Sequence, residues 1–496
     1  MNGKFLLLNG TSCIWKKKSE FVSVNHSGHE QLKAVSGKPS RIRQFGVFIT
    51  RDVLSKLSNK QYLLINLLEA PLLAFVLAYL IRYHAEGKEY IFRENQNITA
   101  FLFMAVIVAL FTGLTVSAEE IFRDRKILKR ESFLHLSRSS YLLSKIVVMF
   151  LISAIQAFLF VTIGNSILGI KEMYMSYWLV LFTTACFANM SGLNISSAFN
   201  SAVTIYILIP ILIIPQILLS GIIVKFEKLN PSVSTHASVP MFGEIMASRW
   251  AFEALAVNQF KNNRYEKNFF EPDQRMSRAI FKKDFLIPEL VKRNDFCVFS
   301  LSQEEKKPLL PSNLKLLSNE IKKELSDNPS IRFNSLSSLN PTSFNESIGK
   351  EVRTYLGELN KYYSNLYNKS NAQKENIIAG LQAKDAEALL QIKDDYFNES
   401  LDDLLKNATE QKQIEEAGNR LIQRFQPVFM EGSSNSFVRA PFFVSRKHVF
   451  GNYYETFSVN IVIIWCMTLF AAVALYFNWL KKLLTFGEKI SSHLRK

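Results

Sequence analysis

Residues 98–117, ITAFLFMAVIVALFTGLTVS, carry no charged side chain. A helix crosses the hydrocarbon core of a bilayer with ~20 such residues. Runs of the same character cover 62–81, Tyr141 to Leu168, 177–198, 202–224 and 457–480. Spacing and length predict a mainly α fold: a six-span transmembrane helical domain. A large insert, predicted to be helical, lies between spans five and six. The 48% hydrophobic content and 40 Phe exceed what a soluble chain of 496 residues carries.

Between spans two and three lies EEIFRDRKILKRESFLHLSRSSY, residues 119–141. Its Arg123, Arg125, Lys126, Lys129, Arg130 and Arg138 place it on the cytoplasmic side by the positive-inside rule. Ile121, Leu128 and Leu134 recur among the charges, the pattern of a helix docked on a partner. Topology explains the basic residues, whereas the interleaved Glu119, Glu120, Asp124 and Glu131 point to pairing. We expect a short cytoplasmic helix within 119–137.

The net charge of +16 separates by region. Residues 225–456 hold 32 Lys+Arg against 30 Asp+Glu, and the remainder holds 27 against 13. The surplus lies on segments flanking apolar runs, which argues against a nucleic-acid surface and fits membrane lipid headgroups. With six spans both termini are cytoplasmic, and 225–456 is extracytoplasmic.

The segments divide accordingly. Residues 1–40 read as a cytoplasmic lead-in. Residues 41–61 read as an amphipathic connecting helix, with Ile42, Phe45, Ile49, Val53 and Leu57 on one face. Spans one to five occupy 62–224. In the insert, 242–260 is too apolar for an exposed loop and too short to span. It is expected to be a re-entrant or interfacial helix, with Trp250 near headgroup level and Arg249 four residues from Glu253. Residues 347–424 carry stripes at Leu356, Leu359, Tyr363 and Leu366 and at Leu389, Ile392 and Tyr396, predicting a helical hairpin. Span six is 457–480, and 481–496 forms a cytoplasmic tail.

Span four ends in small polar residues, Asn189, Ser191, Gly192, Asn194, Ser196 and Ser197, which permit close helix packing. Span five contains Pro210, Pro215 and Gly221, and is expected to break or kink there. Asn189, Asn194, Pro210, Pro215, Gln216 and Ser220 are candidates to line a pathway, with helix packing the competing role.

Chemistry-bearing motifs are absent from the sequence. Gly-Lys pairs at 3–4, 37–38, 87–88 and 349–350 are never followed by Ser or Thr, so no phosphate-binding GxxxxGK[ST] loop exists. No GxSxG, HExxH or CxxC occurs. The four Cys lie far apart and the His are scattered. No catalytic residue, metal site or cofactor of the chain's own is expected.

Three stretches together resemble the membrane domain of G-type ABC exporters, especially the bacterial branch. These are EEIFRDRKILKRE with SYLLSK, GLNISSAFNSA with IPQILLSGIIV, and ASRWAFEALAVNQFKNNRYE at 247–266. The resemblance covers about 41–266 and 450–482. It implies a permease without its fused ATPase, driven by a separate ABC ATPase subunit that binds ATP and Mg. It implies a coupling helix at 119–137, with Glu119, Glu120, Arg123, Asp124, Arg125, Arg130 and Glu131 facing the ATPase. It also implies a second permease copy, homodimer or heterodimer, in the inner membrane. Arg249, Trp250 and Glu253 would then belong to an outer plug. The insert departs from the family, and an extracytoplasmic helical interaction protein without transport activity is the alternative.

Overall fold

The computed structural model describes residues 40–130, 136–230, 239–431 and 441–494. The expected lead-in, up to residue 39, lies outside them. The chain is mainly helical. Helix α1 (Arg41–Ser58) ends at Asn59, whose side chain accepts from Tyr62 N at 3.0 Å and caps the next helix. The apolar helices follow as α2 (Lys60–Ile81), α3 (Ile98–Ala118), α5 (Arg138–Leu168) and α6 (Tyr174–Ala198), with α15 (Thr456–Phe477) beyond the insert. These five are long and apolar enough to cross a membrane. The expected fifth span is shorter: α7 (Ala202–Leu218) has 17 residues.

Helix α7 differs from expectation in a second respect. Pro210 and Pro215 lie inside it without ending it. It stops at Leu218, and three residues on, Gly221 adopts φ +80°, where a Cβ would collide with the Phe226 ring. The ends of α7 nonetheless reach opposite ends of the bundle. Asn200, just before it, bonds Arg125, and Gln216 accepts from Ser248 N at 3.0 Å.

Small residues set the bundle's tightest crossing, between α3 and α6. A Cβ on Gly113 would stand 2.7 Å from Ala185 O, and one on Gly192 would collide with Ser117 Oγ. Backbones this close gain dispersion contact that larger side chains would forbid.

The insert is not a simple helical hairpin. After α8 (Ala247–Lys261) come α9 (Phe270–Ile280), a π-helical turn at Phe281–Leu286, α10 (Ile287–Ser300) and α11 (Leu310–Asp327). The long α12 (Glu346–Gln382) is followed by the short α13 (Ala386–Tyr396) and α14 (Glu399–Leu405), not by one return helix. Asp385 caps α13 and Asn398 caps α14 through side-chain oxygens, so these residues divide the expected second arm. The 424 end is a β-hairpin, β1 (Ile414–Ala417) with β2 (Arg420–Gln423), paired Glu415 to Ile422. A second hairpin, β3 (Arg446–Val449) with β4 (Asn452–Glu455), leads into α15.

The Leu356, Leu359 and Tyr363 stripe is buried, packed with Leu314, Leu317 and Ile321 of α11 in a core of the insert's own. Burying side chains of this size gives ~1.5–3 kcal/mol each. Inside that core Lys282 pairs with Glu324, which also accepts from Tyr363 Oη at 2.7 Å.

Helix α13 docks on the loops that join α2 to α3 and α5 to α6. Arg93 pairs with Asp394 at 2.7 Å, Lys171 with Asp395 at 2.7 Å, and Asn398 donates to Phe92 O and Asn95 O at 2.9 Å. These loops and the insert therefore share one end of the bundle. Helix α1, the start of α5 and the end of α15 share the other: Ser140 Oγ donates to Arg41 O at 2.9 Å and Arg138 to Leu475 O at 3.2 Å.

Glu266, 3% exposed, lies at the junction of α8 and the insert. Burial pushes its carboxyl up to about 7, against the pull of Lys406; Asp273 and Asp402 add to the rise and Lys374 opposes it. A carboxyl raised above its unfolded value of ~4.3 stabilises the fold fully below that value. That contribution is lost as pH rises through about 7. Thermal unfolding of the purified protein should therefore show stability falling between about pH 4 and pH 7. Glu266→Gln should flatten that fall and exceed the wild type at the upper end. Equal slopes for both proteins would refute this role.

Candidate functional site

The charged segment between α3 and α5 forms α4 (Glu120–Arg130), separated from α3 by Glu119 alone. It lies within the expected 119–137. Residues 131–135, including Glu131 and Leu134, lie outside the described residues, and 136–137 are not helical. Unpaired amides in the first turn of α4 find a distant acceptor: Ser196 Oγ accepts from Ile121 N at 3.0 Å and Phe122 N at 2.9 Å. Arg125 binds the far end of α6, donating to Ser196 O at 3.0 Å and Ser197 O at 2.7 Å and bonding Asn200. A guanidinium suits this place, because the last carbonyls of a helix are unpaired and carry negative partial charge. The polar close of span four is therefore a socket for α4.

Underneath α4 lies a buried ion cluster. Lys145 of α5 stands 2.5 Å from Asp52 Oδ1, 2.9 Å from Glu120 Oε2 and 2.9 Å from Asp124 Oδ2. Lys56 of α1 reaches Asp52 at 3.0 Å and Glu120 at 2.8 Å, and Tyr141 Oη donates to Asp124 at 3.0 Å. Burial opposes ionisation of Asp52, but Lys145 and Lys56 outweigh it and hold its carboxyl below the usual range. Its stabilisation is therefore present above ~4 and is lost as pH falls below that value. Three helices meet at this point: the connecting helix, the docking helix and a membrane-length helix.

The seven residues expected to face an ATPase thus separate. Glu120, Asp124 and Arg125 are engaged inside the chain, because neighbouring helices supply partners at closer range than any solvent-facing surface. Arg123 and Arg130 are exposed, with Lys126 beside them, and Glu119 is partly buried. Asp52, Lys56, Tyr141 and Lys145 were not among the expected site residues. Lys145 had a signal: it is the one lysine in the apolar run from Tyr141 to Leu168, and a charge in such a run needs a partner.

Of the candidate pathway residues, Asn189, Asn194 and Gln216 bond across helices. Asn189 donates to Ser153 Oγ at 2.8 Å, and Asn194 to Met190 O and Ala471 O at 2.8 Å. Ser220 bonds Ile217 O at 2.8 Å. Gln216 takes the amide of Ser248, and Pro210 is exposed while Pro215 is partly buried.

At the insert end, α8 is buried from Ala247 to Phe260, between α3, α6, α7 and α15. Trp250, expected near headgroups, is 2% exposed and donates to Glu244 O at 2.8 Å. Protein packs around it because the β3–β4 hairpin and α15 close over this helix. The Arg249–Glu253 pair forms at 3.8 Å, but its nearer partners are others. Glu253 takes Lys447 at 2.5 Å and Asn460 at 2.9 Å, and Arg249 takes Glu244 at 3.0 Å. Lys447 and Asn460 escaped the sequence reading, since they lie about 200 residues from Glu253.

Lys145→Met would leave Asp52 and Glu120 sharing Lys56, and Asp124 with the Tyr141 hydroxyl. Breaking a buried pair in this way costs roughly 3–5 kcal/mol. Thermal unfolding in detergent should show that loss, and adding Asp52→Asn to Lys145→Met should recover part of it. Wild-type stability in the single variant would contradict the cluster's role.

Residues 43–260 match the family described as ABC-2 type transporter. The chain is 23% identical over 228 residues to the ABC transporter G family member STR of Medicago truncatula, covering 45% of this chain and 26% of the relative. It is 24% identical over 179 residues to the protein of the same name from Petunia hybrida, covering 35% and 20%. The aligned region thus spans about a quarter or less of these relatives. The match takes in the α1–α4–α5 cluster, the α4 socket and nearly all of α8. Residues 43–260 are thus similar to the membrane domain of ABC-2 type transporters.

Proposed function

We propose that this chain is the permease subunit of an ABC exporter. It moves a lipid-like or amphipathic substrate out of the cytoplasm or inner leaflet of the cell membrane. The chain crosses the membrane six times, with α7 as the fifth crossing and both termini cytoplasmic. A second copy, or a related permease, pairs with it across α3 and α7. The exposed Met104 and Phe111 of α3 and Tyr206, Ile207 and Ile211 of α7 give that pairing an apolar face. ATP and Mg act on an ABC ATPase outside residues 1–496.

The single observation that carries this reading is the way α4 is held. Its inner face is locked to α1, α5 and α6 by Asp52, Lys145, Ser196 and Arg125. Its outer face presents Arg123, Lys126 and Arg130. A helix bound on one side to membrane-length helices and charged on the other transmits a push from an ATPase into the bundle. A second reading, an extracytoplasmic interaction protein, draws support from the insert's own hydrophobic core. It leaves the locked α4 without a purpose.

Arg123→Glu with Arg130→Glu alters only the exposed face. Surface changes of this kind move stability by about 0.5 kcal/mol or less, so the variant should fold normally. It should lose capture of the ABC ATPase and ATP-driven transport in reconstituted vesicles. Arg125→Glu, by contrast, should lower thermal stability by releasing α4 from α6. Undiminished transport in the double variant would overturn the coupling role.

A further inference from the structure

Helix α16 (Trp479–Leu494) follows α15 after a single residue. That residue, Asn478, has φ 52°, a left-handed conformation that ends one helix and turns the chain. Arg138 fixes the turn from the start of α5, donating to Leu475 O at 3.2 Å and Asn478 Oδ1 at 2.5 Å. Leu480 packs on the bundle core. The helix is therefore held at the end of the bundle that carries α1 and α4.

One face of α16 has no cover among the described residues. Trp479 is 44% exposed, Leu483 69% and Phe486 66%. Their spacing of four and three places them together on the helix. Lys481 is exposed on the opposite side, and Lys482 is exposed at the border of that face, three residues from Trp479 and four from Phe486. The apolar surface continues without a break onto α15, where Leu469, Phe470 and Phe477 are exposed. Trp479 stacks on Phe477 at 6.2 Å and meets Phe470 edge-on at 5.7 Å. Whatever surrounds the membrane-length helix α15 also reaches Trp479.

We propose that α16 lies in the membrane surface at the α4 end of the bundle and binds anionic phospholipid. Trp479, Leu483 and Phe486 enter the acyl-chain boundary, and Lys481 and Lys482 hold anionic headgroups. A Trp at the end of an apolar helix settles at headgroup depth, and an amphipathic helix with flanking lysines is drawn to anionic lipid. Its position beside Arg138 and α5 makes lipid charge a determinant of how the coupling end of the bundle is anchored.

The test uses the full chain with Cys13 and Cys466 changed to Ser, reconstituted in phosphatidylcholine or in equimolar phosphatidylcholine and phosphatidylglycerol. An environment-sensitive fluorophore is placed at Leu483→Cys or at Lys481→Cys. In the anionic vesicles the probe at 483 should be quenched by doxyl-labelled acyl chains and shielded from acrylamide, and the probe at 481 should behave in the opposite way. Adding Lys481→Glu with Lys482→Glu to the 483 probe should lower its acyl-chain quenching roughly tenfold in anionic vesicles, with little change in neutral ones. Access of acrylamide to 483 in both vesicles would overturn the proposal. Shielding of 483 from both quenchers would overturn it as well, since protein, a second copy or a partner, would then cover the face. Lipid quenching at 483 unaltered by the lysine changes would refute the headgroup role.

Discussion

The ammonium of Lys145 is the point on which the α4 end of this molecule depends. It is nearly buried, and three carboxylates from two other helices close around it. Taking a lone charge out of water costs several kcal/mol, so the cluster forms only when α1 and α4 are both seated on α5. The penalty for separating them is what gives the arrangement its definition. Arg125 and Ser196 then fix the other side of α4 on the end of α6. The docking helix is thus a projection of the membrane bundle, not a loop hung between two spans.

A second buried network does corresponding work at the opposite end. Glu253, Lys447 and Asn460 bring together α8, the β3–β4 hairpin and α15. The insert is attached here and again where α13 meets the loops around Arg93 and Lys171. Its own core lies beyond these contacts. Movement of α15 or α8 would therefore be felt by the insert through polar contacts that are buried and short.

Much of the fold was legible in the sequence, for physical reasons. Apolar runs of bilayer length mark α2, α3, α5, α6 and α15 because an unbroken hydrophobic surface has few other uses. The small residues near Gly192 announced the close approach of α3 and α6. The Tyr-x-x-Ser-Lys and Phe-Glu-Ala-Leu stretches lie within the residues that match the ABC-2 type transporter family. The prolines of α7 do not end it, because a helix bounded by apolar neighbours tolerates lost hydrogen bonds that water-exposed helices do not. The expected helical hairpin failed at Asp385 and Asn398, whose capping side chains outweigh the stripe on either side.

The sequence by itself determined which segments are membrane-length helices, where charge accumulates, and that no phosphate-binding loop lies within residues 1–496. Tertiary structure alone decided which charges face inward. Glu120 and Arg123 are three residues apart on one short helix, yet one is buried against Lys145 and the other exposed. Periodicity gives the angle between them but not the helix that packs beneath. Lys447 and Glu253 likewise have no local pattern in common. Their pairing comes from a long excursion of the chain, and burial of both charges is compatible only with their meeting.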